Sequence, residues 1–343
     1  MKFTTILAAL CTLTVCAPVA DNTRLEKRNY GGQRFGGNRD TIIIQINDNN
    51  GFNQGRNEQQ QQGNDGIDLT VLNFALTLEF LEATFYADGL NRFDENRFLQ
   101  EGFAGVRDQV NLVSFHEATH VKFLQDTIRA TFGENQDVPS CRFNFEESLR
   151  DVKSMLSTAL VFEKVGVAAY DGAISLIQRD IFKTAGAAIA TIEGRHAAAL
   201  NIIARQLPVP NSFDTPLGLR SVVTLVAPFI AGCDFQLPAQ PFQSALTLEQ
   251  EFGRWGNNVA LGFSGDIVEG QTLHCNFQVG ISHFRTQIQL ERRGNGLLAQ
   301  CLVPNELKGN FEATVFVVDE DRDIGITEDD HVLAGPAFLP LTF

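Results

Sequence analysis

Two Glu-x-x-His pairs constrain this chain more than any other feature: Glu117 with His120, and Glu193 with His196. On a helix, each Glu shares a face with the His that follows it. Two further glutamates alternate with these pairs, each followed by a tyrosine two helical turns on: Glu79 with Tyr86, and Glu163 with Tyr170. The order is therefore Glu, Glu-x-x-His, Glu, Glu-x-x-His. Apolar residues recurring at three- and four-residue steps place one element on each of four helices. The spacing predicts helices starting at Asp68, from about Phe103 to Thr131, from about Phe145 to Gln178, and from about Ile181 to Gln206. A shorter apolar run, Leu217 to Ala231, predicts a fifth helix packed on the other four.

The chemistry of that order is specific. Divalent iron and manganese accept carboxylate and imidazole ligands, and two such ions held together need bridging carboxylates. In an antiparallel bundle, one inward Glu from each of two helices and one Glu-x-x-His from each of the others supply the set. Glu79, Glu117, His120, Glu163, Glu193 and His196 are the candidate ligands, with Glu82, one turn from Glu79, as the alternative on the first helix. Their four carboxylates would balance two divalent ions, whereas without metal they would repel one another in the core. Tyr86 and Tyr170 share the ligand face as hydrogen-bond partners of the ligands or redox-active groups; the plainer reading is buried tyrosine with a satisfied hydroxyl. One stretch parses in a second way. His116-Glu117-x-x-His120 has the spacing of a zinc metalloprotease helix, with Glu117 as general base. That parse finds no Gly-x-x-His extension after His120 and leaves Glu79, Glu163 and His196 without a role, so His116 reads as a surface residue or a partner of a ligand.

Leu72 to Tyr86, Phe162 to Tyr170 and Ile192 to Ala199 resemble the ferritin-like proteins grouped with plant desiccation-related proteins and fungal stress-response proteins of the Rds1 type. The resemblance covers roughly residues 67–232, and Val332 to Ala337 is similar to the end of the longer fungal members. It implies a ferritin-like bundle able to hold a di-iron or related centre.

The chain's ends carry other signals. Lys2 precedes an apolar run, Ile6 to Val15, and small residues suit cleavage after Ala17, which reads as a secretory signal over 1–17. Leu25-Glu26-Lys27-Arg28 closes a pro-segment over 18–28 at a dibasic site. Residues 29–66, rich in Gly, Asn and Gln, read as a disordered arm in which only Thr41 to Ile46 has strand character. The bundle follows over 67–232 and a β-rich module over 233–343, where Leu273 to Ile281 alternates in period two, Ile288 and Leu290 are expected inward, and Thr314 to Val318 is continuously apolar. The fold class expected is α+β with two domains, a ferritin-like four-helix bundle with a short fifth helix and a small β-sandwich-like module.

Four cysteines remain after the signal, and an even count in a secreted chain predicts two disulfides. Cys275 with Cys301 inside the β module and Cys141 with Cys233 flanking the later helices is the economical pairing. A formal charge of −14 argues against nucleic acid and anionic membranes as partners. Asp319 to Asp330 is a poor match to a calcium loop, because Ile324 stands where glycine is needed, and it reads as an acidic turn. The expectation is a secreted or cell-surface protein binding iron or manganese for oxidative or stress-protective chemistry. The β module would meet a cell wall or other extracellular partner, and a metal-free structural protein is the alternative.

Overall fold

The computed structural model describes residues 58–242, 244–264, 272–294, 296–319 and 331–342. The signal, the pro-segment, the Thr41 to Ile46 strand and most of the acidic turn lie outside them. Helices and strands belong to one unit, so their mutual packing can be followed residue by residue.

The first helix, α1, runs Glu58–Arg92, ten residues earlier at its start than the periodicity indicated. Residues 58–66, assigned to the arm from their composition, are helical. Extending an existing helix fixes one residue per hydrogen bond gained, so a polar Gln tract without proline continues a helix it could not nucleate. A short helix α2, Glu95–Gln100, capped by Asp94, precedes α3, Val106–Phe132. The third long helix, α4, is Val152–Ala173, shorter at both ends than expected. Its start is set by Asp151, whose carboxylate accepts from the Ser154 N–H at 2.6 Å, while Glu101 accepts from Val152 and Lys153. Both satisfy amides that the first turn leaves without partners. Phe145 and Leu149, read as helical, are core residues of the preceding turns. The next helix, α5, is Asp180–Ile203 and has no cap of its own. Buried Asp68 of α1 accepts instead from the backbone N–H groups of Gln178 and Arg179 at its start. A short helix α6, Leu219–Val226, completes the helical part; its expected continuation is stopped at Pro228 by a 3₁₀ turn.

Contacts fix the directions. Arg107, at the start of α3, donates to carbonyls of Leu90 and Phe93 at the end of α1, while Asn73 meets Gln136 and Val138 beyond the end of α3. Helices α1 and α3 are therefore antiparallel neighbours. Helices α4 and α5 pack likewise, α1 lies against α4, and the seam between α3 and α5 is the most loosely packed of these.

The β module begins as the sequence leaves α6. Strand β1, Arg142–Phe143, from the α3–α4 connection pairs with β2, Ile230–Gly232, beside the Cys141–Cys233 disulfide. The remaining strands form one sheet: β3 Thr247–Leu248, β4 Gly253–Arg254, β5 Asn258–Phe263, β6 His274–Val279, β7 Ser282–Arg293, β8 Gly296–Leu302, β9 Glu312–Val318 and β10 Val332–Thr342, in spatial order β3-β5-β8-β7-β6-β9-β10-β4. The long strand β7 pairs with β6 through its first half and with β8 through its second. The sheet thereby curls so that its two halves enclose a core, as the two sheets of a sandwich would. Cys275 and Cys301, both fully buried, are bonded within it. Ile288 packs on this core, whereas Leu290, toward the hairpin end of β7, is 38% exposed.

Strand β9 explains its own apolar run. Ala313, Val315 and Val317 fill the curled sheet, while Phe316 and Val318 join the core of the bundle. A strand covered on both faces has no reason to alternate. The even residues of β6 are buried too, so its polar face is not solvent-facing: Gln278 donates to the Pro216 carbonyl and the Gly280 N–H donates to Thr215. No helix among the described residues is long and apolar enough to cross a membrane.

Candidate metal centre

All of the predicted ligands meet in the middle of the bundle. Glu79, Glu117, Glu163 and Glu193 are fully buried, His196 nearly so, and His120 half-buried. Each helix contributes from its inward face at the same level. His120 Nδ1 lies 3.0 Å from Glu117 Oε2, 3.2 Å from Glu79 Oε2 and 3.3 Å from Glu193 Oε1. His196 Nδ1 lies 3.0 Å from both Glu163 Oε2 and Glu117 Oε1. The ligand atoms form two overlapping groups, Glu79/Glu117/His120/Glu193 and Glu117/Glu163/Glu193/His196, within each of which they all lie inside 4.8 Å of one another. Glu117 and Glu193 are common to both groups, while each imidazole belongs to one.

Glu82 is also buried, beside Glu193, but belongs to neither group. Room for both carboxylates comes from Gly166, one turn beyond Glu163. A Cβ there would stand 3.0 Å from Glu193 Oε2 and 3.3 Å from Glu82 Oε1. Sequence reasoning overlooked this glycine, although its place beside Glu163 in α4 was visible.

The tyrosines cross over. Tyr170 on α4 donates to Glu79 of α1 at 2.5 Å, and Tyr86 on α1 donates to Glu163 of α4. The repeated Glu-to-Tyr spacing therefore serves the opposite helix: each hydroxyl holds the glutamate of the other half. His116 has a place as well. Its Nδ1 lies 2.9 Å from His196 Nε2, the ring nitrogen turned away from the carboxylates, and the two rings stack at 5.1 Å. Among the described residues His116 enters no metal-ligating group. The zinc-protease parse needs His116 and His120 on one ion, and the helix instead aims them at different partners.

Charge balance in the metal-free cluster is kept by protons. Burial pushes Glu79 up to about 8, against hydrogen bonding from His120, and takes Glu82 and Glu193 well above the carboxylate range, helped by neighbouring carboxylates. Burial raises Glu163 as well. Glu117 is the exception: burial opposes its charge, but hydrogen bonds from His120 and His196 outweigh it and hold the group at about 2. The imidazoles resist burial through their bonds to carboxylates, which carry His120 up to about 12 and His196 to about 10. Even so, both oxygens of Glu193 and Oε1 of Glu117 lack a well-aligned hydrogen bond; Oε1 of each meets only an imidazole at ion-pair distance. Buried carboxylate oxygens without well-aligned partners, shared between two ligand groups, fit a pair of divalent cations.

Comparison with known proteins agrees with this geometry. No curated protein matches the chain. Residues 67–206, which carry all six candidate ligands, match the family model of the ferritin-like domain, and that segment of the chain is a ferritin-like domain.

Proposed function

We propose that the bundle binds two iron or manganese ions bridged by carboxylates and uses them in oxidative chemistry of the ferroxidase or peroxide-consuming kind, in a secreted, stress-protective setting. The observation that carries the reading is the pair of overlapping ligand groups sharing Glu117 and Glu193, three of whose four oxygens lack a well-aligned hydrogen bond. Glu79 with His120 would hold one ion and Glu163 with His196 the other. When bound, such ions supply electron transfer to or from oxygen species and stabilise developing negative charge. The protein's part is to keep the ligands oriented. Tyr170 and Tyr86 fix Glu79 and Glu163 from across the bundle, and His116 holds the outer nitrogen of His196. Two disulfides are consistent with an oxidising compartment, which supports the secretory reading of residues 1–28.

Elemental analysis of the purified mature protein tests the proposal. Wild type should hold about two iron or manganese ions per chain, and Glu117→Ala and His196→Ala should both lose them. A wild type that stays metal-free after refolding with Fe(II) would leave a metal-free structural protein instead. One zinc retained in His196→Ala but lost in His116→Ala would restore the protease reading.

A further inference from the structure

A second feature of the chain is a cavity of about 180 Å³ between the bundle and the β module. It is separate from the metal centre. Lys164, Gly194 and Ala197, which line it, each directly follow a proposed ligand in sequence, so they project from a different face of α4 or α5. On α5 the run of small residues Gly194, Ala197 and Ala198 opens the space, and strand β9 closes it from the other side.

The cavity is polar inside in a particular way. Asn201 of α5 and Thr314 of β9 line it from the two modules and are 3% and 2% exposed. Neither side chain makes a hydrogen bond to a described residue, and neither is sealed from the cavity. Buried polar side chains ordinarily have partners, so these two are built to meet something that enters. Of the charged side chains that line it, Lys164 is ion-paired with Glu312 across the module boundary, and Asp214 stands exposed at the edge, where it would repel an anion. At the mouth, Val209 and Phe213 are 73% and 67% exposed and give it an apolar lip.

We propose that this cavity is a binding site for a small, neutral, hydroxylated molecule of monosaccharide or polyol size. Hydroxyl groups both donate and accept, which suits a carboxamide and a threonine hydroxyl together. The C–H faces of such a molecule suit the apolar lip. An anion would find Lys164 already neutralised, and a hydrocarbon would leave Asn201 and Thr314 unpaired.

Saturation-transfer NMR on the full mature chain tests this with D-glucose, D-mannose and mannitol as probes. Thermal shift is unsuitable, since sugars stabilise most folded proteins by exclusion from their surfaces. At least one probe should bind the wild type. Asn201→Leu and the near-isosteric Thr314→Val should each weaken that binding about tenfold or more, in line with the rejection expected when paired polar groups are lost. Ala198→Phe, which fills the cavity, should abolish it. All three variants should keep the circular dichroism spectrum and metal content of wild type. No binding of any probe to wild type, equal binding by all three variants, or tighter binding of glucuronate than of glucose would each overturn the proposal.

Discussion

At the scale of single residues, the candidate centre rests on groups outside the ligand set as well. His196 presents Nδ1 to the carboxylates and Nε2 to His116, so a proton on Nε2 donated to His116 leaves Nδ1 free as a ligand atom. Replacing His116 with Ala should weaken metal binding about 10- to 100-fold, the usual cost of removing a ligand's outer partner. Competition with a chelator measures it, and recovery in His116→Gln would separate positioning from mere packing. Tyr170 works on Glu79 in the same manner. Tyr170→Phe removes one donor to a buried carboxyl and should cost about 1–3 kcal/mol of metal-free stability by urea unfolding, while two ions still bind. A variant that loses its metal altogether would make Tyr170 more than an orienting group.

At the scale of elements, close approach decides what the helices tolerate. Gly172 sits near the end of α4 where the Leu217 segment crosses, and a Cβ there would lie 1.9 Å from the Leu217 carbonyl oxygen. In an open helix, Gly→Ala gains up to about 1 kcal/mol from propensity. Here Gly172→Ala should instead destabilise by about 1–3 kcal/mol, because the clash is with backbone that cannot rotate away; urea unfolding gives the sign directly. The elements also show what the sequence could tell. The inward placement of Glu79, Glu117, Glu163 and Glu193 was legible because inward faces repeat in register, and these glutamates report that face as plainly as the leucines do. Helix ends were not, because tertiary groups set them: Asp68 caps a helix more than a hundred residues away, and Glu101 does the same for α4. The curl of the sheet was hidden for a related reason. Strand β7 changes partner midway without changing its pattern, so periodicity reports strands but not whether they make one sheet or two.

At the scale of the molecule, protons and the proposed ions would compete for one cluster. Glu79 is raised to about 8, so its stabilising contribution is complete below the ordinary carboxylate pKa and is lost as pH rises through 8. His120 and His196 are raised to about 12 and about 10; their contributions hold below pH 6.5 and fade through those values. Glu117, held at about 2, contributes above 4.5 and loses that contribution as pH falls through 2. The metal-free protein should therefore lose stability steadily from pH 5 to pH 8, measured as a falling midpoint in chemical denaturation. Metal binding must displace protons from Glu79 and both imidazoles, so affinity should rise over the same range, with net proton release in calorimetry across buffers of different ionisation enthalpy. A flat profile would mean that these groups are not the ligands.

The crossing of Tyr86 to Glu163 and Tyr170 to Glu79 bears on how the bundle can be divided. One helical hairpin and its connection look like a complete unit, since each carries a glutamate, a Glu-x-x-His and a tyrosine. Yet each hairpin keeps the key to the other's lock. Cut at the connection between α3 and α4 ahead of Cys141, which is bonded to Cys233, neither piece would have its glutamate held, and only re-association would return that contact. The repeat in the sequence is thus a repeat of parts, while the smallest object that can act is the pair.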